Sequence, residues 1–123
     1  TSRFVPDATP TWMSPETLCS VASGPRAVPI RTSPETDFVA TAPLNLVYVA
    51  DLGRMAEVDA QDRPFLAGAD AGCIAQNVYL HCAAAGLATV VRAMIDRKQL
   101  AQALGLPATH RIALAQTVGH AKP

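Results

Sequence analysis

Hydrophobic and polar positions divide the chain near residue 37. Residues 1–37 show no clean period and hold six of the ten prolines. Proline fixes φ and donates no hydrogen bond, which excludes a long helix or a central strand there. We expect an extended, Pro-rich N-terminal segment over 1–37, with one helical turn capped by Ser14 and an edge segment at Val28–Ile30. An α+β domain is expected over 38–123.

Two stretches have the pattern of strands. Leu44–Ala50 is apolar except for Asn45 and is followed by Asp51, which predicts a strand buried on both faces. His110–Val118 alternates regularly and predicts a second strand with two distinct faces. One face is then formed by Ile112, Leu114, Gln116 and Val118, the other by the smaller Ala113, Ala115 and Thr117. The small residues indicate a helix packed closely on their side.

Between these strands, Asp70–Ala85 is almost continuously apolar. A helix with so little polar surface is expected to be buried on most of its circumference, so we predict that it is the core helix. Asp70 would lie near its positive N-terminal end, and Gly86 would end it as the C′ residue. We predict a ligand-binding loop in the stretch that follows, 86–92.

Two shorter helices are expected. Arg54–Ala60 has a weak helical pattern, and Pro64 either ends that helix or starts the next. Asp96 and Gln99 have the spacing of a capping box, and Gly105 suits the end of the helix that they begin.

Composition excludes several classes of function. The formal charge is zero, with ten acidic and ten basic residues, and the basic residues are not clustered. Nucleic-acid binding depends on phosphate neutralisation and is not expected. No apolar run is long enough to span a bilayer, and no secretory pattern is visible, so we expect a cytoplasmic protein without a membrane partner.

No side chain is predicted to be catalytic. The three cysteines are an odd number, and Cys73 and Cys82 would face opposite sides of one helix. We interpret these two as small core residues in a reducing compartment. The histidines are scattered without the spacing of metal ligands, so no metal site is expected. Any chemistry would therefore come from a bound cofactor.

Several segments, taken in order, resemble the C-terminal half of the FMN-dependent nitroreductase family. They are residues 38–43, LNLVYVAD at 44–51, GADAGCIAQNVYLHCAAAGLATVVRAMID at 68–96, ALGLP at 103–107 and IALAQTVGHAK at 112–122. They are most similar to the branch near the azole-forming dehydrogenases of peptide maturation. The resemblance implies a nitroreductase-like α+β fold, with a small β-sheet packed on a long central buried helix. It also implies a fold truncated relative to the family, because residues 1–36 do not resemble the family's N-terminal half.

The resemblance also implies a function. Members are homodimers that bind FMN at the subunit interface and pass hydride from NAD(P)H through FMN to a small organic acceptor. The stretch after Gly86 would lie along the isoalloxazine edge, and a basic residue after the last strand would meet the phosphate. The implied FMN contacts here are Thr89, Val90, Val91, Arg92, Ala93 and Lys122.

Three departures from the family pattern leave an alternative open. The Arg-Arg-Ser phosphate clamp and the Asn-bearing loop of the family's N-terminal half are not present in the sequence, and Ala121 replaces a proline. Bidentate arginines are the strongest phosphate contacts, so their loss would weaken a flavin site. The alternative function is a non-catalytic dimeric or ligand-binding remnant of the fold.

Overall fold

A computed structural model describes the backbone of Leu18–Ser20 and residues 37–123. The predicted turn at Ser14 and the edge segment at Val28–Ile30 lie outside the described residues. The elements, in chain order, are β1 (Leu18–Ser20), α1 (Asp37–Thr41), β2 (Leu44–Asp51), a 3₁₀ turn (Leu52–Arg54), α2 (Arg63–Ala85), β3 (Ala88–Arg92), α3 (Arg97–Leu104) and β4 (His110–Gly119).

The described strands form one antiparallel sheet in the order β1-β2-β4-β3. Both predicted strands are confirmed as β2 and β4, which pair along their whole length. The stretch predicted as a ligand loop is different: after Gly86 and Leu87 the chain forms β3, an edge strand paired with β4. Its Thr-Val-Val core suits a strand because branched side chains pack well on a pleated surface.

A β-bulge in β4 reassigns one predicted face. Tyr48 pairs with Leu114, but the next residue of β2, Val49, pairs with Ile112. The skipped Ala113 breaks the alternation, because two residues of β4 oppose one of β2. Strict alternation predicts Ile112 and Leu114 on the same face. In the structure Ile112 instead packs with Val49 on the opposite face.

The two longer helices cover opposite faces of the sheet. α2 packs on the face that bears Tyr48, through Ala71 and Ala75. α3 packs Leu100 on the other face, where Val49 and Ile112 lie. The bulge thus gives each helix apolar residues from β4.

The long helix begins earlier than predicted. It starts at Arg63, with Pro64 in the first turn, where the missing N–H costs nothing and the fixed φ suits a helix. Asp70 consequently lies two turns inside the helix and not beside its positive end. The C-terminal end is as predicted, because Gly86 adopts φ 68° as the C′ residue.

A smaller part of the α2 surface is buried than its apolar composition predicts. Its buried residues form one stripe of Ala67, Ala71, Ala75 and Cys82. Other apolar positions are open to solvent, among them Phe65 at 76% and Leu80 at 60% exposure. Cys73 is also exposed, so only Cys82 is the core residue that the sequence predicts. Within this chain, α2 is central to the fold but buried on one side only.

Of the two remaining helix predictions, one is confirmed and one is wrong. α3 is confirmed, since Asp96 accepts a hydrogen bond from the Gln99 N–H and Gly105 ends the helix at φ 64°. The predicted helix over Arg54–Ala60 is wrong: one 3₁₀ turn, Leu52–Arg54, is followed by turns. Asp51 begins that turn by accepting from the Gly53 N–H, a side-chain bond that competes with a helix.

Candidate flavin site

The edge strand β3 holds most of the residues that the resemblance implies for the cofactor. Thr89, Val90, Val91 and Arg92 lie in it, and Ala93 follows it directly. Lys122 is elsewhere: Ala88 pairs with Gly119 at one end of the two strands, and Lys122 follows from that end. Four residues of strand, roughly 13 Å, separate Ala88 from Arg92. The basic residue and the end of β3 are therefore not adjacent along the edge.

Tyr79 of α2 holds the outer side of β3. Its hydroxyl oxygen accepts a hydrogen bond from the Val91 N–H at 2.8 Å. The Val91 side chain packs in the cluster of Tyr48 and Ala75, on the face of α2. The central helix thus contacts both the face and the edge of this strand.

This contact determines which backbone donors of β3 point outward. Since the Val91 N–H is directed at α2, it does not pair with β4, and alternate residues of an edge strand point the same way. The N–H group of Thr89 therefore also faces away from β4. The N–H groups of Val90 and Arg92 face the sheet. An outward backbone donor at Thr89 fits the carbonyl and ring-nitrogen acceptors of a flavin.

A chain of hydrogen bonds crosses the other face of the sheet, beside β3. The Arg92 Nε–H donates to the Thr117 hydroxyl at 3.1 Å, and the Thr117 hydroxyl donates to the Asn45 Oδ1 at 2.8 Å. The Asn45 amide in turn donates to the Val39 carbonyl oxygen at 3.0 Å. Thr117 is only 4% exposed. We call Arg92, Thr117 and Asn45 the polar row.

The charge in the polar row has neutral partners. A second guanidinium nitrogen of Arg92 lies 3.5 Å from the Asn45 Oδ1. Among the described residues, no ion pair joins Arg92 to a carboxylate. Burial lowers the pKa of Arg92 from its ordinary value, although a guanidinium stays protonated at neutral pH. Within the part of the chain that the structure describes, the site is therefore locally cationic.

The far end of the sheet has a separate polar group. His110 Nδ1 lies 3.9 Å from the Asp51 carboxylate and 3.1 Å from the Thr109 hydroxyl. No group of three or more His, Cys, Asp or Glu in the described parts of the chain is arranged to hold a metal ion. None of the helices among those residues is long and apolar enough to cross a membrane.

Sequence reasoning did not find Tyr79, Thr117 or the role of Asn45. Asn45 is the one signal that was available, because a polar side chain inside a buried strand needs a hydrogen-bond partner. The identity of that partner depends on strand pairing, which places Asn45 opposite Thr117. Tyr79 gives no signal, since a tyrosine within an apolar helix is typical of a core.

An antiparallel sheet between a long central helix and a short capped helix defines an α+β fold. The sequence profile of the Nitroreductase family matches residues 13–120. The chain belongs to the nitroreductase family.

Solved structures agree with this assignment. A protein of Ralstonia eutropha JMP134 described as a nitroreductase is 46% identical, with a TM-score of 0.66; the match covers 71% of this chain and 41% of that chain. The NADPH:FMN oxidoreductase of Vibrio harveyi is 25% identical, with a TM-score of 0.63, over 73% of this chain and 45% of that one. The microcin synthetase complex of E. coli shows only the fold, at 19% identity and a TM-score of 0.60, over 67% of this chain and 31% of that one.

The chain spans less than half the length of each of these three proteins. No curated protein matches the chain.

Proposed function

We propose that this chain is part of an FMN-dependent oxidoreductase that passes hydride from NAD(P)H through FMN to a small organic acceptor. The observation that supports it best is β3, an edge strand with an outward N–H group at Thr89, in a chain of the nitroreductase family. When bound, FMN supplies the hydride chemistry. The protein supplies the placement of the ring.

The proposed contacts follow the strand. Thr89 and Ala93 donate backbone hydrogen bonds to the ring edge, while Val90, Val91 and Arg92 contribute side-chain or carbonyl contacts. Lys122 is exposed and attracts the phosphate as a point charge. Because an exposed charge is screened by salt, its contribution should fall as ionic strength rises.

Titration with FMN, followed by quenching of flavin fluorescence, tests this proposal. We expect the wild-type chain to bind FMN and Lys122→Ala to bind it several-fold more weakly at low salt, with the difference shrinking at high salt. Lys98→Ala removes the other exposed lysine, which lies on α3, and should not change the affinity. Equal affinity of all three proteins removes Lys122 from the site. No binding by any of them refutes the FMN function and favours the non-catalytic remnant.

We also propose that the protein is a homodimer that pairs through α2. The side of α2 opposite its buried stripe is exposed and mostly small or apolar; its members are Phe65, Ala69, Gly72, Cys73, Gln76, Leu80, Ala83 and Ala84. Large exposed apolar patches are typical of interfaces. We call these residues the outer face of α2.

The cytoplasmic location and the azole-forming branch stay predictions.

A further inference from the structure

Arg92 has more hydrogen-bonding capacity than its contacts use. A guanidinium has five N–H groups. Two of them point to Thr117 and Asn45, so three are not engaged within the described residues. A desolvated cation with neutral partners alone is costly unless a further partner compensates it.

The rest of the polar row does not need Arg92. Thr117 donates to Asn45, and Asn45 donates to the Val39 carbonyl, so that connection between β4, β2 and α1 is complete by itself. Thr117 can accept a bond from Arg92 in addition, and this bond orients the guanidinium across the sheet face. The row therefore holds a cation in a fixed direction.

An apolar surface lies beside this cation. Val90 pairs with Thr117, so its side chain is on the same face of the sheet as the polar row. It is 40% exposed. A ligand with an anionic group on a flat apolar body would match the guanidinium and the valine together.

We propose that the guanidinium of Arg92, seated on Thr117 and Asn45, is a binding site for an oxyanion, a carboxylate or a phosphate, of a ligand lying over Val90. The proposal concerns the Arg92 side chain and goes beyond the flavin assignment, which concerns backbone donors along the same strand. The oxyanion could belong to the cofactor or to the organic acceptor.

A direct titration tests the site in the full chain, without flavin. The Nε–H resonance of Arg92 is followed by NMR while sodium benzoate or inorganic phosphate replaces chloride at constant ionic strength. We expect a saturable shift of Arg92. Arg97 is the internal control: its guanidinium also uses two donors, on the Ile112 and Ala113 carbonyls, but it is exposed to water and should show no saturable shift.

Variants separate a specific site from general attraction. Because the Arg92 variants lose the guanidinium resonance, anion affinity is compared by titration calorimetry. Arg92→Gln should weaken binding of the anion by about tenfold or more, the usual effect of losing a charge-assisted hydrogen bond. Arg111→Gln, at an exposed position of β4, removes the same charge and should leave the affinity unchanged. Arg92→Lys keeps the charge without the planar fork and should fall between wild type and Arg92→Gln.

The source of the oxyanion follows from two further comparisons. If the cofactor supplies it, phosphate shifts Arg92 more than benzoate does, and Arg92→Gln weakens FMN binding but not riboflavin binding. If the acceptor supplies it, benzoate shifts Arg92 more, and Arg92→Gln affects FMN and riboflavin equally.

Two results would overturn the proposal. One is that neither anion shifts Arg92 in the wild-type chain, a measurement that does not depend on any variant folding. The other is that Arg111→Gln weakens binding as much as Arg92→Gln. A failure to bind FMN would refute the proposed function but would leave the response of Arg92 to benzoate unaffected.

Discussion

The hydroxyl group of Tyr79 is a positioning element that connects the central helix to the edge strand. Removing it as Tyr79→Phe leaves the ring in place and the Val91 N–H without its acceptor. We expect the free energy of unfolding to fall by about 1 kcal/mol, the usual net value of a neutral hydrogen bond. For a domain of this size, that corresponds to a melting temperature lower by about 5 °C.

Amide hydrogen exchange checks the local part of this prediction. The Val91 N–H should exchange faster in Tyr79→Phe, whereas the Val90 N–H faces β4 and should keep its protection. Unchanged exchange at Val91 would show that the hydroxyl group does not hold the strand.

Asp70 gives a pH dependence whose direction follows from its burial. Desolvation raises the pKa of this carboxyl above its ordinary 3.8. Between the two values the folded state binds more protons than the unfolded state, so stability falls as pH rises through that window. Above it, the full penalty of the charged form remains.

We therefore expect Asp70→Asn to raise the melting temperature at pH 7. The gain should vanish below about pH 3.8, where the carboxyl is neutral in both states. Glu57→Gln, at an exposed position, is the control for the loss of one negative charge. Thermal unfolding of the three proteins across pH measures the effect, and a gain that persists at low pH would contradict a titration of Asp70.

At the scale of elements, Arg97 joins α3 to the bulge of β4. Its guanidinium donates to the Ile112 carbonyl at 3.0 Å and to the Ala113 carbonyl at 2.8 Å. A bulge leaves backbone groups out of the strand ladder, and this side chain binds the carbonyls on both sides of the break. We infer that Arg97 stabilises the register that divides β4 between the two helices.

Arg97→Ala should lower the free energy of unfolding by roughly 1 kcal/mol, because its contacts are partly exposed. Lys98→Ala changes the next residue of the same helix, which is exposed, and should have an effect below about 0.5 kcal/mol. Urea unfolding of both variants makes the comparison. Equal effects would mean that the loss comes from helix α3 itself and not from the bulge.

At the scale of the whole molecule, the outer face of α2 and its buried stripe respond differently to a charge. Leu80 is 60% exposed and Ala71 is 0% exposed. Leu80→Asp should therefore leave the chain folded, whereas Ala71→Asp should prevent folding, since an unpaired buried carboxylate costs several kcal/mol.

The same pair of variants tests the proposed homodimer. Sedimentation should show a dimer for the wild-type chain and a folded monomer for Leu80→Asp, because the new carboxylates would be buried without partners in the interface. A Leu80→Asp protein that stays dimeric would place the interface on another surface. A wild-type chain that is monomeric at high micromolar concentration would refute the dimer.

The sequence by itself determined the features that depend on neighbouring residues. The apolar run of β2, the alternation of β4 and the capping of α3 by Asp96 are local signals, and the structure confirms them. Gly86 and Gly105 end their helices because the left-handed conformation suits glycine. The order of these elements was also enough to indicate the family.

Tertiary structure alone decided what depends on distant pairing. β3 follows Gly86 as a strand because β4, about 25 residues later, offers an open edge to pair with. The bulge transfers Ile112 to the face of α3, and the partners of Tyr79 and Asn45 come from other elements. The apolar pattern of α2 predicts burial of the helix, but it does not show which side of the helix packs against the sheet. Those choices depend on how the sheet and helices pack, and a hydrogen bond between distant residues leaves no period in the sequence.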